Sequence, residues 1–513
     1  MGLTIVRGRY VLSKIVDRHH AEIIESGAVV QRNGLIVDIG TYEDMAAKYQ
    51  ADEVLGSPDD IVLPGFVNGH HHVGLTPVQL GSRDEPLELW FATRLCERDV
   101  DPYLDTLYSA FEMLESGITT VQHLQSWLPR PVERISNTFD RILGAYADIG
   151  MRVSFSYFIR DQNRMAYQDD SEFLASLPDD VRVPLTAHFQ TVTLSLEEQL
   201  DLIDHLFRKY DNQRRIRIQL APANLHWCSD LALQALRERS QKYGAPMHMH
   251  LLESAFQKEY AFRRAGVSAV EHLHRNGLLG PQMTLGHGVW LNERDADLVG
   301  ETCTNICHNA SSNLRLRSGI APLNEYEKRG VKVAIGIDEA GINDDRDMLQ
   351  EMRLVLNLHR VPGMDDSVPT PEQVFRMATS DGAHTTCYCG EIGSLEVGKA
   401  ADIVVMDWRH VSYPFLDLDH DVSVLEAVLH RGRAAGIKTV IVDGEPVIRD
   451  RNFTRINKAD ALEELANSLK RPLNEGEITR RHLSRAMVPH MRNFFANYLS
   501  PRSQAPFYQQ NGR

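Results

Sequence analysis

The sequence predicts an α/β protein: a (β/α)8 TIM barrel with a small composite β-sandwich formed by both ends of the chain. Three observations lead there. Short apolar runs alternate with amphipathic stretches from residue 61 to residue 390. Runs rich in branched residues and closed by two-residue turns occur before and after that middle. No G-x-G-x-x-G loop follows an early strand, which argues against an open doubly wound sheet.

Taken in order, residues 1–60 read as the first part of the sandwich. LTIVRGRYVL and SGAVVQRNGLIVDIG have strand composition, and Asn33-Gly34 is a two-residue hairpin turn. Residues 61–390 read as the barrel. Its candidate strands are IVLPGFVNG, ITTVQHL, RVSFSYF, IRIQLAP, APMHMH, MTLGH, TNICH and VKVAIGID. Helical patterns such as LEEQLDLIDHLFRKY lie between them. Residues 391–452 return to strands in KAADIVVMDW and KTVIVDGEPVIRD, and complete the sandwich. Residues 453–513 turn helical and charged, and this tail is expected to pack on the barrel or on another subunit.

Composition narrows the class. With 55 basic against 70 acidic residues the net charge is −15, which argues against a generic nucleic-acid binder. Six cysteines in 513 residues are not a disulfide framework and read as free thiols. No run approaches the roughly 18 apolar residues of a membrane span. The start MGLTIVRGRY lacks the pattern of a secretory signal, and Val6 stands where a myristoylation signal needs Ser or Thr. The expectation is a cytoplasmic protein acting on a small-molecule substrate, with no nucleic-acid partner and no membrane.

Four motifs carry chemistry. PGFVNGHHH ends the first candidate barrel strand, and strand parity points His70 and His72 to one side and His71 to the other. Two imidazoles at the C-terminal end of a barrel strand make half of a metal site. PMHMHLLES ends the fifth strand; His248 and His250 share parity, so spacing leaves the ligand open between them. Glu253 follows closely enough to shuttle protons in the same cavity. LGHGVW ends the sixth strand with His287, and VAIGID ends the eighth with Asp338. Singly, each has an ordinary explanation as a surface histidine or a turn aspartate. Their order along strands one, five, six and eight is not readily given by chance.

These motifs resemble the amidohydrolase superfamily, in the branch holding cytosine and guanine deaminases and triazine hydrolases. PGFVNGHHH is similar to its P-G-[FL]-[VI]-[DN]-x-H-x-H, HLLES to its H-x-x-E, and VAIGID to its G-x-D. HNASSNLRLRSGIAP (residues 308–322) and IGSLEVGKAADIVVMD (residues 392–407) resemble two further stretches of that branch. The resemblance covers about residues 60–410 and implies His70, His72, His250 and Asp338 as metal ligands. It implies Glu253 and His287 as an acid–base pair, with Asp338 as both ligand and base, and commonly a homo-oligomer. Many relatives bridge two metals with a carboxylated lysine on strand four. IRIQLAPANLHW has no lysine, so one divalent metal is expected per subunit, Zn²⁺ by its ligand set and Fe²⁺ as the alternative. Ala310 replaces the usual proline and Glu339 the usual glycine, which bears on the substrate rather than the metal.

The implied chemistry is loss of ammonia or an amine from an N-heterocycle, with hydrolysis of an amide, urea or carbamate as the alternative. A non-catalytic homologue would lack one of the ligands, and none is missing here. Substrate-binding candidates on the loops are Gln79, Trp90, His123, Tyr157, His226 and Trp227.

Overall fold

In the computed structural model, which describes residues 2–505 apart from 73, 211–212, 365–367 and 419–421, the branched runs form strands at both chain ends. The N-terminal segment holds β1 (Leu3–Arg7), β2 (Tyr10–Ile15), β3 (Ala21–Glu25), β4 (Gly27–Arg32), β5 (Leu35–Thr41), β6 (Glu53–Leu55) and β7 (Asp60–Pro64). The middle holds β8 (Phe66–His71), β9 (Ile118–Gln125), β10 (Arg152–Ile159), β11 (Ile216–Ile218), β12 (Ala221–Pro222), β13 (Met247–Leu251), β14 (Met283–His287), β15 (Asn305–His308) and β16 (Val333–Ile335). The C-terminal segment adds β17 (Ile403–Asp407), β18 (Ile437–Val442), β19 (Glu445–Arg449) and β20 (Asn452–Phe453).

The two ends build two facing sheets. One runs β5-β4-β1-β6; the other runs β20-β19-β18-β17-β7-β2-β3 and joins the C-terminal strands to the N-terminal ones through β17 and β7. Val6, Val29 and Ile36 of the first sheet meet Val11, Val62, Ile403 and Ile441 of the second in one apolar layer. The expected hairpin turn at Asn33-Gly34 forms, and a second lies between β18 and β19. Asn33 and Gly34 have φ of 55° and 82°, Asp443 and Gly444 have 53° and 77°, the left-handed pair such a turn requires.

The middle strands are parallel. They make a five-stranded sheet, β11-β10-β9-β8 with β12 also on β10, and a four-stranded one, β13-β14-β15-β16. Isolated parallel bridges join the sheets on both sides: Leu220 with Met247 and Asn224 with His250, and His71 with Asp338. Helices such as Pro102–Glu115 and Val132–Ile149 run between the strands and bury one face. The fold is α/β with an additional all-β region.

One expected strand divides. IVLPGFVNG reads as a single run, yet β7 lies in the seven-stranded sheet and β8 in the parallel one. The hand-over is at Gly65, whose N–H bonds to Asp402 while the next N–H bonds to Gly117. A Cβ there would stand 2.2 Å from Thr119 Oγ1, so only glycine passes.

The tail packs on the chain's own helices. Along Glu475–Phe495, Leu483, Met487, Met491 and Phe495 recur every four residues and bury against Leu89, Tyr167, Phe173 and Leu185. Among the described residues no helix is long and apolar enough to cross a membrane, and all six cysteines are free.

A buried ion pair ties the parallel sheet to the β region. Arg152, at the start of β10, donates from Nε and Nη2 to Asp402 at 3.0 and 2.9 Å. Both side chains are only 2 % exposed. Arg152→Met leaves that carboxylate buried without its partner and is expected to cost about 3–5 kcal/mol in urea unfolding. Replacing Asp402 with Leu in the same chain is expected to restore most of it.

Candidate metal centre and active site

The parity of β8 sends alternate side chains to opposite faces. His71 turns outward, where its ring meets His123 at 5.5 Å. His70 and His72 turn inward, and their Nε2 atoms lie 3.0 Å apart. His250, from β13, brings its Nε2 to 3.1 Å from that of His70 and 3.2 Å from that of His72. Asp338 follows β16 and sets Oδ1 3.0 Å from His72 Nε2 and 3.6 Å from His70 Nε2. Its backbone N–H bonds to the His70 carbonyl at 2.8 Å, and its φ of 64° turns the carboxylate over the cluster.

The tautomers decide what this cluster accepts. His72 Nδ1 donates to the Leu124 carbonyl at 2.7 Å and His250 Nδ1 to the Ala223 carbonyl at 2.9 Å. Their hydrogens are therefore on Nδ1, and both Nε2 lone pairs face each other. Bare lone pairs 3 Å apart repel unless a cation lies between them. Donors held at 2.0–2.1 Å around a tetrahedral metal stand about 3.3 Å from one another. The three nitrogens stand at separations that fit a divalent metal, and Asp338 lies against two of them.

His248 lies behind His70, not beside His250. Its Nε2 is 2.9 Å from His70 Nδ1; with the shared hydrogen on His70 Nδ1, His70 Nε2 would be left to ligate. Cys307 also approaches these two rings from β15. Gly336 makes the close approach possible, since a Cβ there would meet the His70 Cβ at 2.5 Å.

Two further groups face the cluster. His287 ends β14 with φ of 69° and donates from Nδ1 to Asn313 Oδ1 at 2.9 Å. Its Nε2 stands 3.7 Å from Glu253 Oε2 and 3.7 Å from Asp338 Oδ2. Burial holds the ring below its ordinary pKa, although Asp338 pulls the other way. Glu253 leaves β13 after Leu252, another left-handed residue. Burial, then the charges of Asp338 and Glu88, push its carboxyl well above the usual carboxylate range, which favours its protonated form. Ser312 Oγ donates to Asp338 Oδ2 at 2.6 Å, fixing the second carboxylate oxygen. Glu253, His287 and Asp338 all open on one cavity of about 950 Å³.

The sequence model of the amidohydrolase family matches residues 61–447, about three quarters of the chain. The chain belongs to that family. It is a hydrolase of carbon–nitrogen bonds other than peptide bonds. The amidohydrolase is 28% identical over 448 residues to a 5-methylthioadenosine/S-adenosylhomocysteine deaminase of Syntrophobacter fumaroxidans, covering 86% of this chain and 92% of that one. It is 28% identical over 467 residues to a 5'-deoxyadenosine deaminase of Methanopyrus kandleri, covering 89% and 97%. Its fold is similar to that of a zinc-bound adenosine deaminase from Xanthomonas campestris, with a TM-score of 0.76 at 23% identity, covering 91% of this chain and 98% of the other.

Of the loop and strand residues expected to bind substrate, the amidohydrolase brings Trp90 and Trp227 to the cavity wall. Four others lie elsewhere. Gln79 turns back to accept from the Thr76 N–H and donate to Tyr108, capping its own helix. His123 points toward the helix layer and bonds to Tyr146 at 2.9 Å. Tyr157 likewise packs against Phe139 of the helix Val132–Ile149. His226 is buried under the Tyr167 ring, 4.1 Å away.

The residues missed are informative. Phe158, one position beyond Tyr157 and on the opposite face, sets its ring 5.4 Å from His72 and 5.2 Å from His250. Asn224, just past β12, also lines the cavity. Glu339 also lines the cavity and is held by Arg94, whose guanidinium stacks over Trp90. Only the alternation of β10 carried a signal for Phe158, and it was read one residue out of phase. Nothing local in the sequence pointed to Arg94.

Proposed function

We propose that the protein removes ammonia from an aminated N-heterocycle of the purine nucleoside class, using one divalent metal, zinc, at His70, His72, His250 and Asp338. Its two parallel sheets are then one closed eight-stranded barrel; the bridges at Leu220–Met247, Asn224–His250 and His71–Asp338 support this. The single observation carrying the reaction is the placement of Glu253: a buried carboxyl 3.7 Å from His287, beside the converging donors. The names of the relatives, deaminases of adenosine derivatives, support the choice of ring. The run from β11 to Asn224 has no lysine to bridge a second ion, which supports one metal.

When bound, the metal supplies a Lewis acid and lowers the pKa of a water from 15.7 to about 7. Asp338 Oδ2, steadied by Ser312, accepts the proton of the attacking water. His287, neutral at rest, faces the same point with Nε2; on taking that proton from Asp338 it becomes an imidazolium that steadies the charge developing on the attacked carbon's substituents. Glu253 gives its proton to the ring nitrogen, then carries protons to the departing amine. Trp90 and Phe158 hold the planar ring between apolar walls.

The test is a release assay on the metal-loaded protein with adenosine, 5′-methylthioadenosine, 5′-deoxyadenosine, guanine and cytosine beside anilides, ureas and carbamates. Stoichiometric ammonia from a purine nucleoside is expected. Turnover confined to the anilides, ureas or carbamates would replace this reading with the amide-type hydrolase.

A further inference from the structure

Asp338 and His287 leave different strands, yet one short helix holds both. The helix Ala310–Arg315 follows β15, and its neighbours Ser312 and Asn313 reach the two groups. Ser312 Oγ donates to Asp338 Oδ2 at 2.6 Å, and Asn313 Oδ1 accepts from His287 Nδ1 at 2.9 Å. Whatever fixes this helix therefore fixes the aim of both. Six residues are too few to stay helical by propensity, and the first turn presents backbone N–H groups that need acceptors. Asn309, which precedes it, gives no side-chain cap.

The acceptor comes from another helix. Glu351 stands in the first turn of Met348–Leu358 and is only 1 % exposed. Its Oε1 accepts from the Ser311 N–H at 2.9 Å and its Oε2 from Ser311 Oγ, and the Ala310 N–H also bonds to the carboxylate. Ala310 stands where the resembling branch usually has proline, which has no N–H to donate. It is not on the cavity wall, so this departure bears on the aim of the base rather than on the substrate. Glu351 is not on that wall either, and reaches the site through the helix.

We propose that Glu351 is a positioning residue for the reaction. By gathering the donors of Ala310 and Ser311, it holds the helix that aims Ser312 at Asp338 and Asn313 at His287. The inference rests on the roles that the deaminase reading gives those two groups. With Oδ2 held by Ser312, the Asp338 carboxylate keeps Oδ1 on the imidazoles; released, it rotates among other orientations. A hydrogen-bond partner of this kind is worth about 10–100-fold in metal affinity or activity. Glu351 touches neither the substrate cavity nor the metal donors, so its effect on turnover falls on kcat and not on KM.

The experiment uses the full-length protein in two assays. Competition with a chelator gives the Zn²⁺ affinity without any substrate; ammonia release from the purine nucleosides named above, at saturating Zn²⁺, gives kcat and KM. Glu351→Leu and Ser312→Ala are each expected to weaken Zn²⁺ binding by about 10–100-fold and to lower kcat by a similar factor with KM little changed. Glu351→Gln should retain most of both, because its amide oxygen still accepts from the Ser311 N–H. Combined, the two losses of Zn²⁺ affinity should not multiply: Glu351→Leu adds less than about 3-fold to Ser312→Ala, since its effect runs through that hydroxyl. A residue that served stability alone would give independent losses that multiply in full. That result, or wild-type Zn²⁺ affinity and kcat in Glu351→Leu, would overturn the proposal. Should Glu351→Leu not fold, Ser311→Ala, which removes one of the bonds and little volume, takes its place in the cycle under the same criteria. Should no nucleoside release ammonia while the Zn²⁺ cycle shows the coupling, the deaminase reading falls and the positioning role stands. Should a nucleoside be deaminated and the losses multiply, the positioning role falls alone.

Discussion

Stripped of divalent metal, the protein is expected to lose its activity by on the order of 10⁴-fold or more. No side chain in the cavity replaces the lost acidification of water. Asp338 is a weak base, and His287 is held by burial below its ordinary pKa. Removal also leaves the Nε2 atoms of His70, His72 and His250 facing one another at 3.0–3.2 Å, a repulsion the free protein must relieve. Thermal stability should therefore fall with activity, and both should return on adding Zn²⁺. Atomic absorption against recovered activity measures the stoichiometry. Full recovery at one equivalent per chain agrees with the single-metal reading, and a requirement for two would overturn it. An apoprotein that keeps its turnover would sink the metal-dependent mechanism itself.

The same residues show how far a sequence carries such a site. His70 and His72 were separable from His71 because a strand alternates its faces, and the structure turns His71 out to His123. His248 and His250 share that parity, so alternation left both open. What separates them is depth along β13, with His248 set behind His70 and His250 level with His72. Depth depends on how far a strand rises before the chain turns off it, and the left-handed Leu252 that ends this one has no sequence signature. Tyr157 failed for a related reason: a one-residue error in phase exchanges the two faces of a strand, and Phe158 took the cavity side. Gly65 hid the passage from β7 to β8 because a glycine within an apolar run reads as part of it. The helical, charged character of the tail was visible in the sequence. Its partners were not, because Leu89, Phe173 and Leu185 come from helices far away in the chain.

Replacing Glu253 with Gln is expected to lower kcat by about 10²–10⁴-fold while leaving the metal content at the wild-type level. The second half of that statement follows from geometry. Glu253 is not among the converging donors; its Oε2 meets His287 Nε2 at 3.7 Å, and Ser318 donates to its Oε1 at 3.4 Å. Glutamine has the same length, and its amide oxygen still accepts from Ser318, so packing is kept. The amide transfers no proton, however. Burial, Asp338 and Glu88 make the ionised form of Glu253 costly and raise its pKa, which suits a carboxyl that gives a proton to a ring nitrogen gaining electron density. The effect belongs in kcat rather than KM, because the interaction strengthens only as charge moves in the transition state. Metal analysis beside steady-state kinetics separates the outcomes. Loss of metal in Glu253→Gln would make the residue a ligand, and full activity would remove it from the mechanism. Low kcat with full metal would leave proton transfer as its role.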